Sequence, residues 1–176
     1  MALIPYPEKD GLSAQSRALV DAYPNNLALM LAGLGDAFPP LMQTIGVYTR
    51  RGIVSHGLRE LITLRVADKC RAEYVLNQHR GIARRVGVTD AQVAAARAPL
   101  PSAIFTDTEN AVLQFVDELL VTSAATAASA GLVAELMAPA GIQEVLLIVA
   151  MNHFLAKYSS ALSIDMDRPI DVDPGT

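Results

Sequence analysis

The stretch Leu58-Arg59-Glu60-Leu61-Ile62-Thr63-Leu64-Arg65-Val66-Ala67, followed by Ala72-Glu73-Tyr74-Val75-Leu76-Asn77-Gln78-His79-Arg80-Gly81-Ile82-Ala83-Arg84-Arg85-Val86-Gly87-Val88, decides the fold. Its apolar residues recur at helical rather than alternating spacing, so it reads as two consecutive helices. Gly87, just after Arg84, Arg85 and Val86, has the pattern of a left-handed glycine closing a helix whose last turn carries cations. Within these apolar faces sit a Glu, a Tyr, an Asn and a His, polar groups that need partners once buried.

The same period extends outward in both directions. Thr89-Asp90-Ala91-Gln92 and Thr106-Asp107-Thr108-Glu109 fit the capping box, in which a hydroxyl and a Glu or Gln side chain satisfy unpaired backbone donors at a helix start. Helices are expected near 13–22, 26–34, 40–51, 56–69, 71–86, 90–97, 107–121, 129–138 and 141–162. Pro5, Pro7, Pro24, Pro39, Pro40, Pro99, Pro101 and Pro139 fall between these helices or at their starts, where proline is tolerated. β-branched alternation is scarce, so the expected class is all-α, a single-domain helical bundle over residues 1–176 with no linker. The polar, proline-punctuated segment 165–176 reads as a loosely held tail or an arm onto a neighbour. An offset of 84 aligns Glu60-Leu61-Ile62-Thr63-Leu64 with Glu144-Val145-Leu146-Leu147-Ile148 and Tyr74 with Tyr158, an echo that two similarly patterned helices explain.

Composition bounds the function. With 176 residues, 52% of them hydrophobic, and only 18% charged, the chain is long and apolar enough for a packed core and too poor in charge for disorder. A net charge of −4 argues against nucleic acid, which requires clustered, uncompensated cations. No basic start with an apolar run marks export, and no uncharged stretch is long enough to span a bilayer, so a cytoplasmic protein with no membrane partner is expected. Cys70, the lone cysteine, leaves no intrachain disulfide, no multi-cysteine metal site and no redox pair.

The 58–90 segment resembles the carboxymuconolactone decarboxylase and alkylhydroperoxidase-D superfamily, marked by a helix beginning R-E-L and a second helix ending H-x-x-x-A-x-x-x-G. More loosely, Ile4-Pro5-Tyr6-Pro7, Asn26 to Ala32 and Thr108 to Asp165 are similar to the family as well. The resemblance implies an all-helical fold assembled as a homotrimer or hexamer. In the family's peroxidase branch a Glu works with a C-x-x-C pair, a His between those cysteines and a His four residues beyond the second. Carried over, the Glu falls on Glu60 and the distal His on His79, whereas the cysteines fall on Ala72 and Val75 and the intervening His on Tyr74. Alanine cannot attack a peroxide and valine cannot resolve a sulfenic acid, so the thiol mechanism has lost both sulfurs.

What survives is an acid/base set. At about 100° per residue, Ala72, Val75 and His79 share one face, and Tyr74 lies about 140° around the helix from His79, on the side of Asn77 and Gln78. The resemblance therefore implies His79 as general acid or base, oriented by Glu60, with Tyr74 a third catalytic candidate. Arg80, Arg84 and Asn77 are the candidates for holding a substrate carboxylate. Arg65, breaking an apolar run, reads as structural and paired across an interface; His56 as incidental; His153 as packing; Cys70 as a small buried side chain.

The expected activity is cofactor-independent and metal-free: proton transfer on a small carboxylated lactone or related ring, as in a decarboxylase-like lyase. The alternatives are a peroxiredoxin-type alkylhydroperoxidase, and a non-catalytic helical oligomer that binds a small ligand.

Overall fold

A computed structural model describes residues 1–167, and the 168–176 part of the expected tail or arm lies outside the described residues. The described residues form helices and loops with no strand, as the apolar periodicity predicts. Among the described residues, nine α-helices follow in chain order: α1 Ala14–Ala22, α2 Asn26–Leu31, α3 Phe38–Arg51, α4 His56–Lys69, α5 Glu73–Arg85, α6 Asp90–Ala95, α7 Asp107–Thr122, α8 Ala127–Leu136 and α9 Pro139–Ala161. They belong to two compact units, one of Met1–Met42 with the segment from Leu162, the other of Gln43–Ala161.

In the first unit, Ser13 and Asn25 cap α1 and α2 by accepting hydrogen bonds from Ser16 and Ala28. The expected helix over 26–34 stops at Leu31 and tightens into a 3₁₀ segment, Ala32–Ala37, broken at Gly35 with φ 61°. Gly33 and Gly35 weaken the helix, and only glycine takes that left-handed angle without strain. The start of the expected loose tail is tied down. The Asp165 carboxylate accepts from the Ala2 amide at 3.1 Å and the Tyr6 hydroxyl at 3.2 Å, and Asp167 accepts from the Asn26 amide at 2.7 Å.

The second unit is built around α4, which packs against α5, α7 and α9. Ten consecutive residues, Leu58 to Ala67, are buried, so α4 has no solvent face. Leu61, Ile62, Leu64 and Val66 meet a core to which Leu76, Val112, Leu113, Val145 and Ile148 also contribute. The Ser55 hydroxyl caps α4 by accepting from the Leu58 amide at 3.2 Å. Just upstream, the Glu144 carboxylate of α9 accepts the Ile53 and Val54 amides at 2.7 and 3.2 Å. Gly52 has no room for a Cβ there, because Glu144 and the Tyr48 carbonyl occupy its place. This latch sets where α4 begins.

The helix ends obey the expected chemistry. Both capping boxes form, at Thr89–Gln92 and Thr106–Glu109. Gly87 takes φ 88°, and the Gly87 and Val88 amides donate to the Arg84 and Ala83 carbonyls, the paired closure of a Schellman motif. α3 begins at Phe38, so Pro39 and Pro40 lie in its first turn, and α9 begins at Pro139. α5 begins at Glu73 rather than 71 because Arg71 adopts φ 53°, which no α-helix accommodates.

α9 is long and apolar enough to cross a membrane by length and composition, with 39% of its most apolar window buried. In this unit it is a packing helix against α4, α5 and α8. Its Leu146, Leu147 and Phe154, with Leu132 and Leu136 of α8 and Val121 of α7, remain exposed.

Candidate functional site

A helix buried on every side has to satisfy its polar residues internally, and α4 carries Arg59, Glu60, Thr63 and Arg65. Thr63 turns back to the Arg59 carbonyl at 2.9 Å. The other three form two separate polar centres.

The first joins α4 to α5 and α3. Glu60, 2% exposed, places Oε2 2.7 Å from His79 Nδ1. Its other oxygen accepts from Arg59 Nε at 3.4 Å, and Arg59 Nη1 donates to the Thr49 carbonyl of α3 at 2.8 Å. An ionised carboxylate only accepts, so Nδ1 carries the hydrogen and Nε2 is left as the basic nitrogen. The His79 side chain is 25% exposed, which makes it the member that an incoming molecule can meet.

Tyr48 of α3 lies within electrostatic reach of Arg59 and Glu60. It is buried, and burial pushes its phenol up to about 12, with the Arg59 guanidinium opposing and the Glu60 carboxylate reinforcing the shift. Tyr48 is therefore a neutral hydroxyl donor at physiological pH. Arg59 and Tyr48 were both missed as site residues. Arg59 stands one position from Glu60, about 100° around the helix, so a face argument sends the two apart. Only a helix buried all round brings both inside. Tyr48 lies beyond a loop, with no spacing to tie it to Glu60.

The structure brings Glu60 and His79 together. Tyr74 is buried in the first turn of α5. Asn77 is exposed and Arg80 half-buried. Arg84 is exposed and bound to Asp90 at 2.6 Å across the Gly87 turn, where water screens its charge. Ala72 and Val75 are buried apolar side chains at the positions the cysteines would hold. Cys70 caps the C-terminal end of α4, and burial pushes its thiol up against the opposing charge of Lys157. His56 is the exposed first residue of α4, and His153 is half-buried on α9.

The second centre corrects the expectation for Arg65. It is structural but paired within its own chain: Nε donates to Asp117 Oδ1 at 2.6 Å, Nη2 to Asp117 Oδ2, and Nη1 to the Ala96 and Ala98 carbonyls at 3.0 and 2.6 Å. A cavity of about 550 Å³ opens beside it, bounded also by Lys69, Arg97, Gln114 and Glu118, and lined by neither Glu60 nor His79. Its charges are internally matched. Arg97 pairs with Asp68 at 2.6 Å, Lys69 approaches Asp117 at 3.4 Å, and Glu118 accepts from the Thr126 amide at 2.7 Å. Among the described residues, no group of three or more His, Cys, Asp or Glu side chains is arranged to hold a metal ion.

Residues 37–118, from the start of α3 into α7, match the family model of the carboxymuconolactone decarboxylase family. No curated protein matches the sequence. Among solved structures, an alkylhydroperoxidase AhpD core, an uncharacterized peroxidase-related protein from Ralstonia eutropha JMP134, is similar with a TM-score of 0.81 and 17% identity, covering 94% of this chain and 92% of that one. The debrominase Bmp8 is similar with a TM-score of 0.78 and 17% identity over 94% and 91% of the two chains. A Cys-to-Ala variant of Bmp8, in complex with 2,3,4-tribromopyrrole, gives 0.71 and 21% over the same shares. At these identities the likeness establishes the fold.

Proposed function

We propose that this chain, whose residues 37–118 match the carboxymuconolactone decarboxylase family model and whose fold is AhpD-like, is a thiol-independent acid/base enzyme acting on a small carboxylated lactone or related ring compound. The observation that carries this reading is the 2.7 Å contact between buried Glu60 and partly exposed His79.

In the proposed mechanism, Glu60 holds the imidazole in one orientation and stabilises its protonated form, while Arg59 holds Glu60. His79 Nε2 takes a proton from the substrate or returns one to it. For a decarboxylation, the bond from the ring to the carboxylate carbon breaks, CO₂ leaves, and its electron pair passes into the ring as a dienolate. His79, protonated at Nε2 from solvent, then delivers that proton to carbon. No organic cofactor or metal is invoked, because every step uses groups on this chain. The tribromopyrrole bound by the Bmp8 variant supports a small planar ring as the kind of ligand this scaffold accepts.

The exposed apolar side chains of α7, α8 and α9 support self-association, and we assign them to subunit contacts of a homotrimer or hexamer. A single cysteine, left without an intrachain partner, supports a reducing compartment, and we assign the protein to the cytoplasm.

The test is turnover of a panel of carboxylated lactones. His79→Ala should lower kcat by roughly a hundredfold or more with an unchanged circular dichroism spectrum. Undiminished turnover removes His79 from the mechanism. The peroxidase reading is favoured by the peroxidase-related fold neighbours and opposed by Ala72, Val75 and the raised Cys70 thiol. Peroxide consumption with a dithiol reductant, lost in Cys70→Ser, would revive it.

A further inference from the structure

Lys69 closes α4 about 13 Å along the helix axis from Glu60, and there it borders a cavity that the acid/base pair does not line. The cavity, about 550 Å³, lies within the second unit and has the size of a small-molecule site. Arg65 and Lys69 reach it from α4, one turn apart. Gln114, Asp117 and Glu118 reach it from α7, at the i, i+3 and i+4 spacing of a single helix face. Arg97, Pro99 and Leu100 belong to the segment after α6, and the last two give the cavity an apolar wall.

The carboxylate acceptors of this wall are taken, whereas several of its donors face solvent. Both Asp117 oxygens accept from the Arg65 fork. Both Glu118 oxygens accept from Thr126 at the start of α8, from the amide at 2.7 Å and the hydroxyl at 3.3 Å. Among the donors, Arg65 is engaged at all three nitrogens. The Lys69 ammonium, its side chain 44% exposed, has a 3.4 Å approach to an Asp117 that Arg65 already neutralises. Arg97 commits Nε to Asp68 at 2.6 Å, and among the described residues its two Nη groups make no hydrogen bond. The half-buried Gln114 carboxamide has no hydrogen-bond partner among the described residues either. Pairing Arg65 with Asp117 and Arg97 with Asp68 leaves Lys69 as the cation in excess, since Glu118 is turned to α8.

We infer that this cavity binds a small aliphatic monocarboxylate, its carboxylate received by the Lys69 ammonium, the Arg97 Nη edge and the Gln114 N–H, and its chain laid on Pro99 and Leu100. One negative charge matches the one ammonium in excess, and a carboxylate brings acceptors to a wall whose own carboxylates are occupied. A second negative charge would be repelled by Asp117 and Glu118, and a cationic ligand would meet three cations with no carboxylate oxygen free. The cavity shares no residue with the Glu60–His79 pair, so it is a second binding place on the chain, independent of the proposed chemistry.

The probe is butyrate, with butyramide as its neutral counterpart, both titrated onto the intact protein by saturation-transfer NMR. Butyrate should bind saturably and about tenfold or more tightly than butyramide. Lys69→Gln should weaken butyrate about fivefold, as loss of a partly exposed ion pair does, and leave butyramide unchanged. Gln114→Leu, which keeps the bulk of the side chain, should weaken butyrate about threefold. Arg97→Gln should weaken it about as much as Lys69→Gln does; if freeing Asp68 unfolds that variant, the Lys69 and Gln114 variants decide. His79→Ala should bind butyrate as wild type does. Absence of saturable butyrate binding, equal affinity for the two probes, or butyrate affinity untouched by Lys69→Gln overturns the inference. So does butyrate binding that is lost in His79→Ala, which would place the carboxylate at the acid/base pair instead.

Discussion

Arg59 and Arg65 share one buried helix, yet their surroundings differ in a way that separates structure from chemistry. Arg65 meets a carboxylate in fork geometry and two backbone carbonyls, and its charge is neutralised where it stands. Arg59 meets one carboxylate obliquely and one carbonyl, and the carboxylate is shared with a partly exposed imidazole. A saturated buried cation locks neighbouring elements together, here α4, α7 and the segment after α6. Arg59 instead ties Glu60, and through it His79, to the end of α3. The contrast shows that burial and charge alone do not distinguish a candidate site from a brace, whereas the partners a buried charge finds do.

The largest effect should come from breaking the brace. Asp117→Ala strands the Arg65 charge and should cost about 3 kcal/mol of stability, read as a lower urea midpoint. Turnover per folded molecule should hold, and a loss of kcat without a loss of stability would erase the contrast. Next is Glu144→Ala, which strands two backbone amides at the entry to α4 and should cost about 1–2 kcal/mol. Because that latch sets the start of α4, kcat should fall with it. An unchanged kcat would show that the Arg59–Glu60 geometry does not depend on the latch.

A finer test uses alkaline pH. Tyr48 is raised from 10.0 to about 12, so its neutral form is favoured in the folded state. The corresponding stability is fully present below pH 10 and is lost as pH rises toward 12, since the unfolded chain ionises first. Alkaline melting should show this loss in wild type and a smaller one in Tyr48→Phe. The smallest expected effect is Cys70→Ser, which should leave lactone turnover unchanged, its thiol being raised by burial and placed at a helix end.

Much of this was legible in the chain because it is local. Capping boxes at Thr89 and Thr106, the left-handed Gly87 and the prolines at helix starts are decided within a few residues, and each appears where its chemistry puts it. The break at Gly35 and the left-handed Arg71 shifted helix edges by a few positions, since such kinks depend on packing as well as on propensity. The Glu60–His79 pair was legible only through a family motif, and the structure then supplied the contact. Arg59 and Tyr48 were not legible, because helix-face reasoning assumes one face turned to solvent.

By itself, then, the sequence determined an all-helical chain with its main boundaries, which follow from local backbone physics, and through a family resemblance it singled out Glu60, Ala72, Val75 and His79 as the positions to examine. Tertiary structure decided which partners the polar groups of α4 find. That outcome depends on what α3, α5, α7 and α9 place around a helix with no exposed face, and no spacing along the chain encodes it.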